Sequence, residues 1–353
     1  MKDEYNRILE ELIDNKIIRP SKSPYAAPTV FVKQGEKYLL CIDFRKLNKV
    51  TKKDSYPLPR IEDMLYEASK HKYFTTLDLC KAYWQVQMEE NDIEKTAFIT
   101  PYGLYEWIYM AFGLCNAPAT FQRYITKVLK NKKHRMEDGI NAYIDDIIVT
   151  SDTIQEHIEK LDRMLTILGK AGLRINGNKC EILKEKIIFL GRTIEKGRIS
   201  MKDNAREMIQ KIEKPNNKKD IQRIMGFFNY YGTFIPNIAG KTAKMTKLMR
   251  KSVPFIWTWQ EQEELDKIKE ELAKLPSLNT PDYDEPFILD CDASKVAIGA
   301  TLGQMKNGKE VLIQFFSHKL RTSEENYSST KVEMLALVES IRKFRHFLIG
   351  KEF

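Results

Sequence analysis

Ile8, Leu9, Leu12, Ile13 and Ile17 recur at helical spacing and the run stops at Arg19-Pro20, with prolines again at 24 and 28, so an amphipathic helix should lead into an extended arm. Two strand-like runs follow, 29–33 and 38–43, separated by the turn-like Gln34-Gly35-Glu36. Residues 73–79 (YFTTLDL) alternate as a strand, with Phe74, Thr76 and Asp78 on one face and Thr75, Leu77 and Leu79 on the other, and run into helix-competent CKAYWQV. The apolar blocks 141–144 and 147–150 read as a hairpin with its turn at Asp145-Asp146, placing Asn141, Tyr143 and Asp145 on one face. Mixed strands and helices continue to about residue 190. From 200 to 275 the period is mainly helical, with breaks at Pro215, Gly226, Gly232, Pro236, Gly240 and Pro254. PDYDEP at 281–286 marks a linker, after which FILDCDAS and IGATLGQ open a new strand-rich pattern. There is no internal repeat and no low-complexity tract.

With 353 residues, 42% apolar and 30% charged, the chain has the composition of a folded protein of two or three domains rather than a disordered or collagen-like one. Its net charge of +9 favours polyanionic partners. The excess is uneven: residues 191–283 carry +6, residues 284–353 carry zero and the first 190 carry +3. Cys41, Cys80, Cys115, Cys180 and Cys291 are widely separated and odd in number, so they read as core thiols in a reducing compartment, neither a zinc or redox pair nor a disulfide framework. The N-terminus is charged from its second residue and no apolar run reaches the ~20 residues needed to span a bilayer, so neither secretion nor membrane insertion is expected.

An Asp-Asp turn is usually a solvated loop, and a lone strand-end aspartate says as little. Taken together, Asp78, Asp145 and Asp146 supply the oxygen ligands that a pair of Mg2+ ions would need for in-line phosphoryl transfer. Their separation in sequence does not establish that they meet.

The strings LDLCKAYWQV (77–86), YEWIYMAFGLCNAPATFQ (105–122), AYIDDIIV (142–149), GLRINGNKCEIL (172–183) and FLGRTI (189–194) occur in an order that resembles reverse transcriptases, with wording similar to the Pol polyprotein of gypsy-type LTR retrotransposons. CIDFRKLNKVT (41–51), NYYGTFIPNIA (229–239) and FIWTWQEQ (255–262) extend the resemblance over essentially the whole chain. It implies an α+β fold: a right-hand polymerase of fingers, palm and thumb with a helical connection and the N-terminal half of an α/β RNase H-like domain. Fingers and palm would occupy 1–190, thumb and connection 191–283, and the RNase H-like domain, incomplete at its C-terminus, 284–353.

Carried over residue by residue, the resemblance makes Asp78 and Asp145 metal-binding aspartates, with the Leu79 carbonyl as a further ligand, and Asp146 the second aspartate of the hairpin. Two Mg2+ ions per site, with Mn2+ as the alternative, are the implied cofactors. Lys179 matches a position proposed to protonate the leaving pyrophosphate; its plainer reading is a solvated lysine. Tyr83 resembles the aromatic gate that excludes a ribose 2′-hydroxyl, and Phe112 and Gly113 the wall beneath the incoming base. Phe189, Leu190 and Gly191 resemble the hairpin that holds the primer end. Lys241, Lys244 and Lys247 recur every three residues and should form one stripe along a phosphate backbone. Asp292 and Glu333 match the strand and helix carboxylates of an RNase H site whose remaining acids would lie beyond residue 353, so no RNase H activity is expected of this chain.

One position departs from the family pattern in a way that matters. Leu39 stands where an arginine generally grips the triphosphate, a loss of about 1.5–3 kcal/mol for a charge-assisted contact, with Lys33 and Lys37 as substitutes. The implied partners are an RNA template, a DNA primer strand, the RNA–DNA hybrid and deoxynucleoside triphosphates, with no membrane and a dimer left open. The implied location is intracellular, either a cytoplasmic particle or the nucleus. Two alternatives stand beside a retrotransposon RNA-directed DNA polymerase. One is a degenerate remnant that binds nucleic acid without synthesis, which Leu39 favours; the other is an RNA-dependent RNA polymerase, which Tyr83 disfavours.

Overall fold

The alternation over 73–78 forms a strand whose Leu77 is buried against two helices while Asp78 closes its end. The computed structural model describes residues 2–35, 37–130, 138–273 and 277–353, apart from the side chains of Lys2, Asp3, Gln34, Lys37, Asp203, Arg206 and Ala273. Contacts divide the chain into two units, one of residues 1–64 and 71–185 and one of residues 65–70 and 186–353.

In the first unit the strands are β1 (Ile18–Pro20), β2 (Thr29–Gln34), β3 (Lys37–Ile42), β4 (Tyr73–Asp78), β5 (Phe98–Thr100), β6 (Gly103–Trp107), β7 (Ile140–Tyr143), β8 (Asp146–Ser151) and β9 (Glu181–Lys184). Its helices are α1 (Lys2–Asp14), α2 (Arg45–Val50), the start of α3 (Ile61–Ser69), α4 (Glu90–Ile93), α5 (Ala117–Leu129) and α6 (Ile154–Lys170). The central sheet has the order β7-β8-β4-β9. One of its faces, Leu77, Ala142, Ile147 and Val149, is buried with Phe121, Ile125 and Leu129 of α5 and Met164 and Leu168 of α6. The four-residue spacing of the α5 set is what makes that segment a core-facing helix. Thr153 caps α6, its hydroxyl accepting from the Glu156 N–H at 3.3 Å. Gln34 belongs to β2 and pairs with Lys37, so the strand runs one residue further than expected; Glu36 lies outside the described residues.

The second unit holds β10 (Lys186–Phe189), β11 (Arg192–Glu195), β12 (Arg198–Met201), β13 (Leu278–Asn279), β14 (Phe287–Ala293), β15 (Ala297–Lys306) and β16 (Lys309–Lys319). Its helices are α7 (Asp203–Gln210), α8 (Lys218–Tyr230), α9 (Ile238–Lys241), α10 (Ala243–Leu248), α11 (Trp259–Ala273) and α12 (Ser329–Leu348). The strands form two antiparallel sheets, β10-β11-β12-β13 and β14-β15-β16, and α12 packs on the second. Gly226 does not break α8, because a helix interior tolerates glycine at a cost of about 1 kcal/mol. The cysteines are free but not core thiols: Cys41, Cys80 and Cys291 are exposed and the other two half-buried. Among the described residues no helix is long and apolar enough to cross a membrane.

Beneath the central sheet His157 of α6 is buried, its Nε2 2.7 Å from Thr75 Oγ1 and its Nδ1 2.9 Å from Ser151 Oγ. Burial, aided by Lys160, pushes its pKa down, so the fold is built around the neutral ring. A depressed histidine contributes stability that is fully present above the ordinary value of about 6.5 and is lost as the pH falls through the folded value. Wild type should therefore lose more melting temperature between pH 7 and pH 5 than His157→Gln, as followed by circular dichroism. Equal losses would contradict this role.

Candidate active site

The hairpin of β7 and β8 turns one residue earlier than the sequence pattern predicts. Tyr143 pairs with Asp146, so the two-residue turn is Ile144-Asp145, and Asp146 is the first residue of β8. Asp146 also faces Asp78 across β4 and β8, which puts Asp78, Asp146 and Tyr143 on one face of the sheet. The turn lies one residue earlier than composition suggests because Ile144 takes the positive φ, at 56°, that polar and glycine residues usually supply. A β-branched residue there costs on the order of 1–3 kcal/mol.

Gln122 holds that turn. The side chain is buried on α5, donates to the Ala142 carbonyl at 3.0 Å and accepts from the Ile144 N–H at 2.7 Å. Two such bonds, at about 0.5–1.5 kcal/mol each, are comparable in size to the strain they oppose. Sequence reading did not single out Gln122; its signal is an uncharged amide at helical spacing from the apolar Ile125, a position that demands polar partners once buried.

The third carboxylate stands in the turn itself. The Leu79 N–H donates to the Asp145 carbonyl at 3.0 Å, tying the end of β4 to the hairpin. On the other side Asn176 donates to the Asp78 carbonyl at 2.8 Å and Cys80 to that of Arg174 at 2.9 Å. Gln85 stitches the same seam, donating to the Cys80 carbonyl at 2.7 Å and accepting from the Arg174 N–H, also at 2.7 Å. This seam delivers Lys179, whose Nζ reaches Asp78 Oδ2 at 3.4 Å.

Burial raises the pKa of Asp145, with Asp78 adding to the effect. Burial pushes Asp146 up to about 6, reinforced by Asp145 and Asp78 and opposed by Lys179. Among the described residues no three acidic, histidine or cysteine side chains already converge to hold an ion. The donor chemistry nevertheless fits a divalent cation: hard carboxylate oxygens, half-buried, whose mutual repulsion a cation would relieve.

Tyr83 lies beside this cluster. Its ring is 5.0 Å from that of Phe112 and 6.0 Å from that of Phe121, and its hydroxyl pKa is raised by burial first and by Asp145 next. Phe112 is exposed, and Gly113, at φ 92°, takes a bond from Asn48 at 2.8 Å on its carbonyl. In the β2–β3 ribbon Leu39 is exposed opposite Val32. Lys37 holds a register position on that face, while Lys33 pairs with Tyr38 on the other.

The remaining sites belong to the second unit. Phe189 is buried, and Leu190 and Gly191 form a two-residue turn with φ of 46° and 74°. The expected lysine stripe is broken: Lys241 ends α9 in an ion pair with Glu271, Thr242 interrupts the helix, and Lys244 and Lys247 stand exposed on α10. Asp292 on β14 and Glu333 on α12 are both exposed.

Residues 32–194 match the family described as reverse transcriptase (RNA-dependent DNA polymerase), and residues 257–353 match the RNase H-like domain found in reverse transcriptase. The Retrovirus-related Pol polyprotein from transposon 297 of Drosophila melanogaster is 38% identical over 98% of this chain and 33% of its own length. The Transposon Tf2-3 polyprotein of Schizosaccharomyces pombe is 35% identical over 99% of this chain and 26% of its own. The chain thus spans about a third or less of these relatives. The foamy viral protease-reverse transcriptase in complex with RNA/DNA hybrid has the same fold, with a TM-score of 0.88 and 22% identity over 99% of this chain and 47% of that one. Its complex with double-stranded DNA gives a TM-score of 0.85 at 23% identity, again over 99% of this chain and over 72% of that one. Sequence motifs, sheet geometry and these matches agree: residues 32–194 form a domain of the reverse transcriptase family and residues 257–353 an RNase H-like domain of the kind found in reverse transcriptase, and over both the chain is similar to transposon Pol polyproteins.

Proposed function

We propose that this chain adds deoxynucleotides to a DNA primer on an RNA template. The observation that carries the reading is Asp78 facing Asp146 beside the Asp145 turn, with Lys179 reaching Asp78. Two Mg2+ ions, or Mn2+ in their place, held by Asp78, Asp145, Asp146 and the Leu79 carbonyl would lower the pKa of the primer 3′-hydroxyl and neutralise the leaving pyrophosphate. Lys179 is the ammonium that gives the pyrophosphate its proton. Tyr83 occupies the space of a 2′-hydroxyl, and Phe112 and Gly113 lie under the incoming base. Phe189, Leu190 and Gly191 hold the primer end, and Lys244 and Lys247 contact phosphates. Fingers and palm take 1–190, thumb and connection 191–283 and the RNase H-like part 284–353, with Asp292 and Glu333 as its strand and helix carboxylates.

One observation favours the second reading, binding without synthesis. Leu39 presents an exposed apolar side chain where a cation would grip the triphosphate, and of the two substitute lysines only Lys37 shares its face of the ribbon.

Primer extension on an RNA template with Mg2+ decides between them. Wild type should extend with deoxynucleotides and Asp145→Asn should not; salt-sensitive hybrid binding without extension would leave the remnant. Tyr83→Ala should admit ribonucleotides in single-nucleotide extension, and unchanged sugar discrimination would remove Tyr83 from the gate. Reversing charge at Lys244 and Lys247 should weaken hybrid binding and lower its salt slope by roughly two, about one per lost phosphate contact. An unchanged slope would take both lysines off the backbone.

A further inference from the structure

The Leu190-Gly191 turn is held from outside its own hairpin. Both residues sit at positive φ, 46° and 74°, and for Leu190 that conformation is one a branched side chain rarely adopts. The hydroxyl of Tyr230, the last residue of α8, donates to the Leu190 carbonyl at 2.8 Å. The guanidinium of Arg192, the residue after the turn, is buried and lies over three rings at 4.1 Å (Tyr230), 4.4 Å (Tyr231) and 5.1 Å (Phe234), while donating to the Tyr230 carbonyl. Arg192 therefore fixes the end of α8 against the hairpin, and Tyr230 reaches back to fix the turn. The fit is close: a Cβ on Gly191 would stand 2.1 Å from the Tyr230 hydroxyl oxygen but 3.2 Å from the nearest ring carbon.

We propose that Tyr230 and Arg192 are positioning residues that clamp the Leu190-Gly191 turn and so set where the primer end is held. The inference rests on the assignment of residues 189–191 to the primer and adds two residues that the motif comparison does not single out. Tyr230 acts through the turn, so its hydroxyl governs the placement of the primer end rather than nucleotide affinity.

The test is a cycle of Tyr230→Phe, Gly191→Ala and the double variant, made in the full chain and read by single-turnover extension and by anisotropy of a labelled RNA–DNA primer-template. Tyr230→Phe removes one hydrogen bond and keeps the ring over Arg192. It should cut the extension rate at saturating nucleotide roughly threefold to tenfold with the nucleotide KM unchanged. Gly191→Ala should lose more in the presence of the hydroxyl than in its absence, because the collision is with that oxygen; such non-additivity marks direct coupling. Full activity of Tyr230→Phe, a raised nucleotide KM without a change in rate, or additive losses would overturn the clamp. Should wild type fail to extend any primer, the polymerase reading falls instead. Anisotropy then decides the clamp alone: non-additive weakening of hybrid binding supports it and additive weakening overturns it.

Discussion

Like charge at the end of the central sheet is the constraint on which the rest of the structure depends. Three carboxylates from two elements distant in sequence are brought together by strand register, Asp78 opposite Asp146 and Asp145 in the adjoining turn, with Lys179 as the opposing cation. Burial and mutual repulsion raise Asp145 and Asp146, the latter to about 6. Such an arrangement opposes folding in the absence of a counter-ion, so the surrounding structure must over-determine it. The Gln122 amide on the hairpin, the Leu79 bond to Asp145 and the Gln85 seam to residues 174–176 are the interactions that do so.

The same device appears in both units. Each contains a two-residue hairpin turn with a branched residue at positive φ, Ile144 in one and Leu190 in the other. Each turn is gripped through its backbone by a side chain from a helix, Gln122 of α5 and Tyr230 of α8. A turn built on glycine and asparagine would relax into its own preferred geometry. A turn held by a distant helix can instead be placed where chemistry requires it, at the cost of local strain.

Much of this was legible in the sequence because alternation has a period of two and the face of each residue follows from it. Alternation alone puts Asp78 at the end of its strand and opposite the leucine face, where the structure has it. The hairpin slipped by one residue because local composition favours two aspartates over an isoleucine in a turn, and the bonds that reverse the preference come from Gln122, about twenty residues away. The lysine stripe broke because spacing assumes one continuous helix, whereas Asn237 caps a short helix that ends at Lys241 and Lys241 finds Glu271. Residue type argues for core cysteines, but Cys80 sits in the solvent-facing seam beside the aspartates and Cys41 on the open face of a two-stranded ribbon. What stayed hidden in each case was a tertiary partner, which neither propensity nor period encodes.

Thermal melting in chelator and in Mg2+, for wild type and Asp146→Asn, tests the central claim most directly. A carboxylate whose folded pKa is raised contributes stability that is present below the ordinary value and lost as the pH rises through about 6. In chelator at pH 7.5 the asparagine variant should therefore melt higher than wild type, a difference that shrinks toward pH 4. Mg2+ at pH 7.5 should raise the melting temperature of wild type and do much less for the variant. An Asp146→Asn chain that melts no higher than wild type in chelator, or that gains as much from Mg2+, would contradict the account.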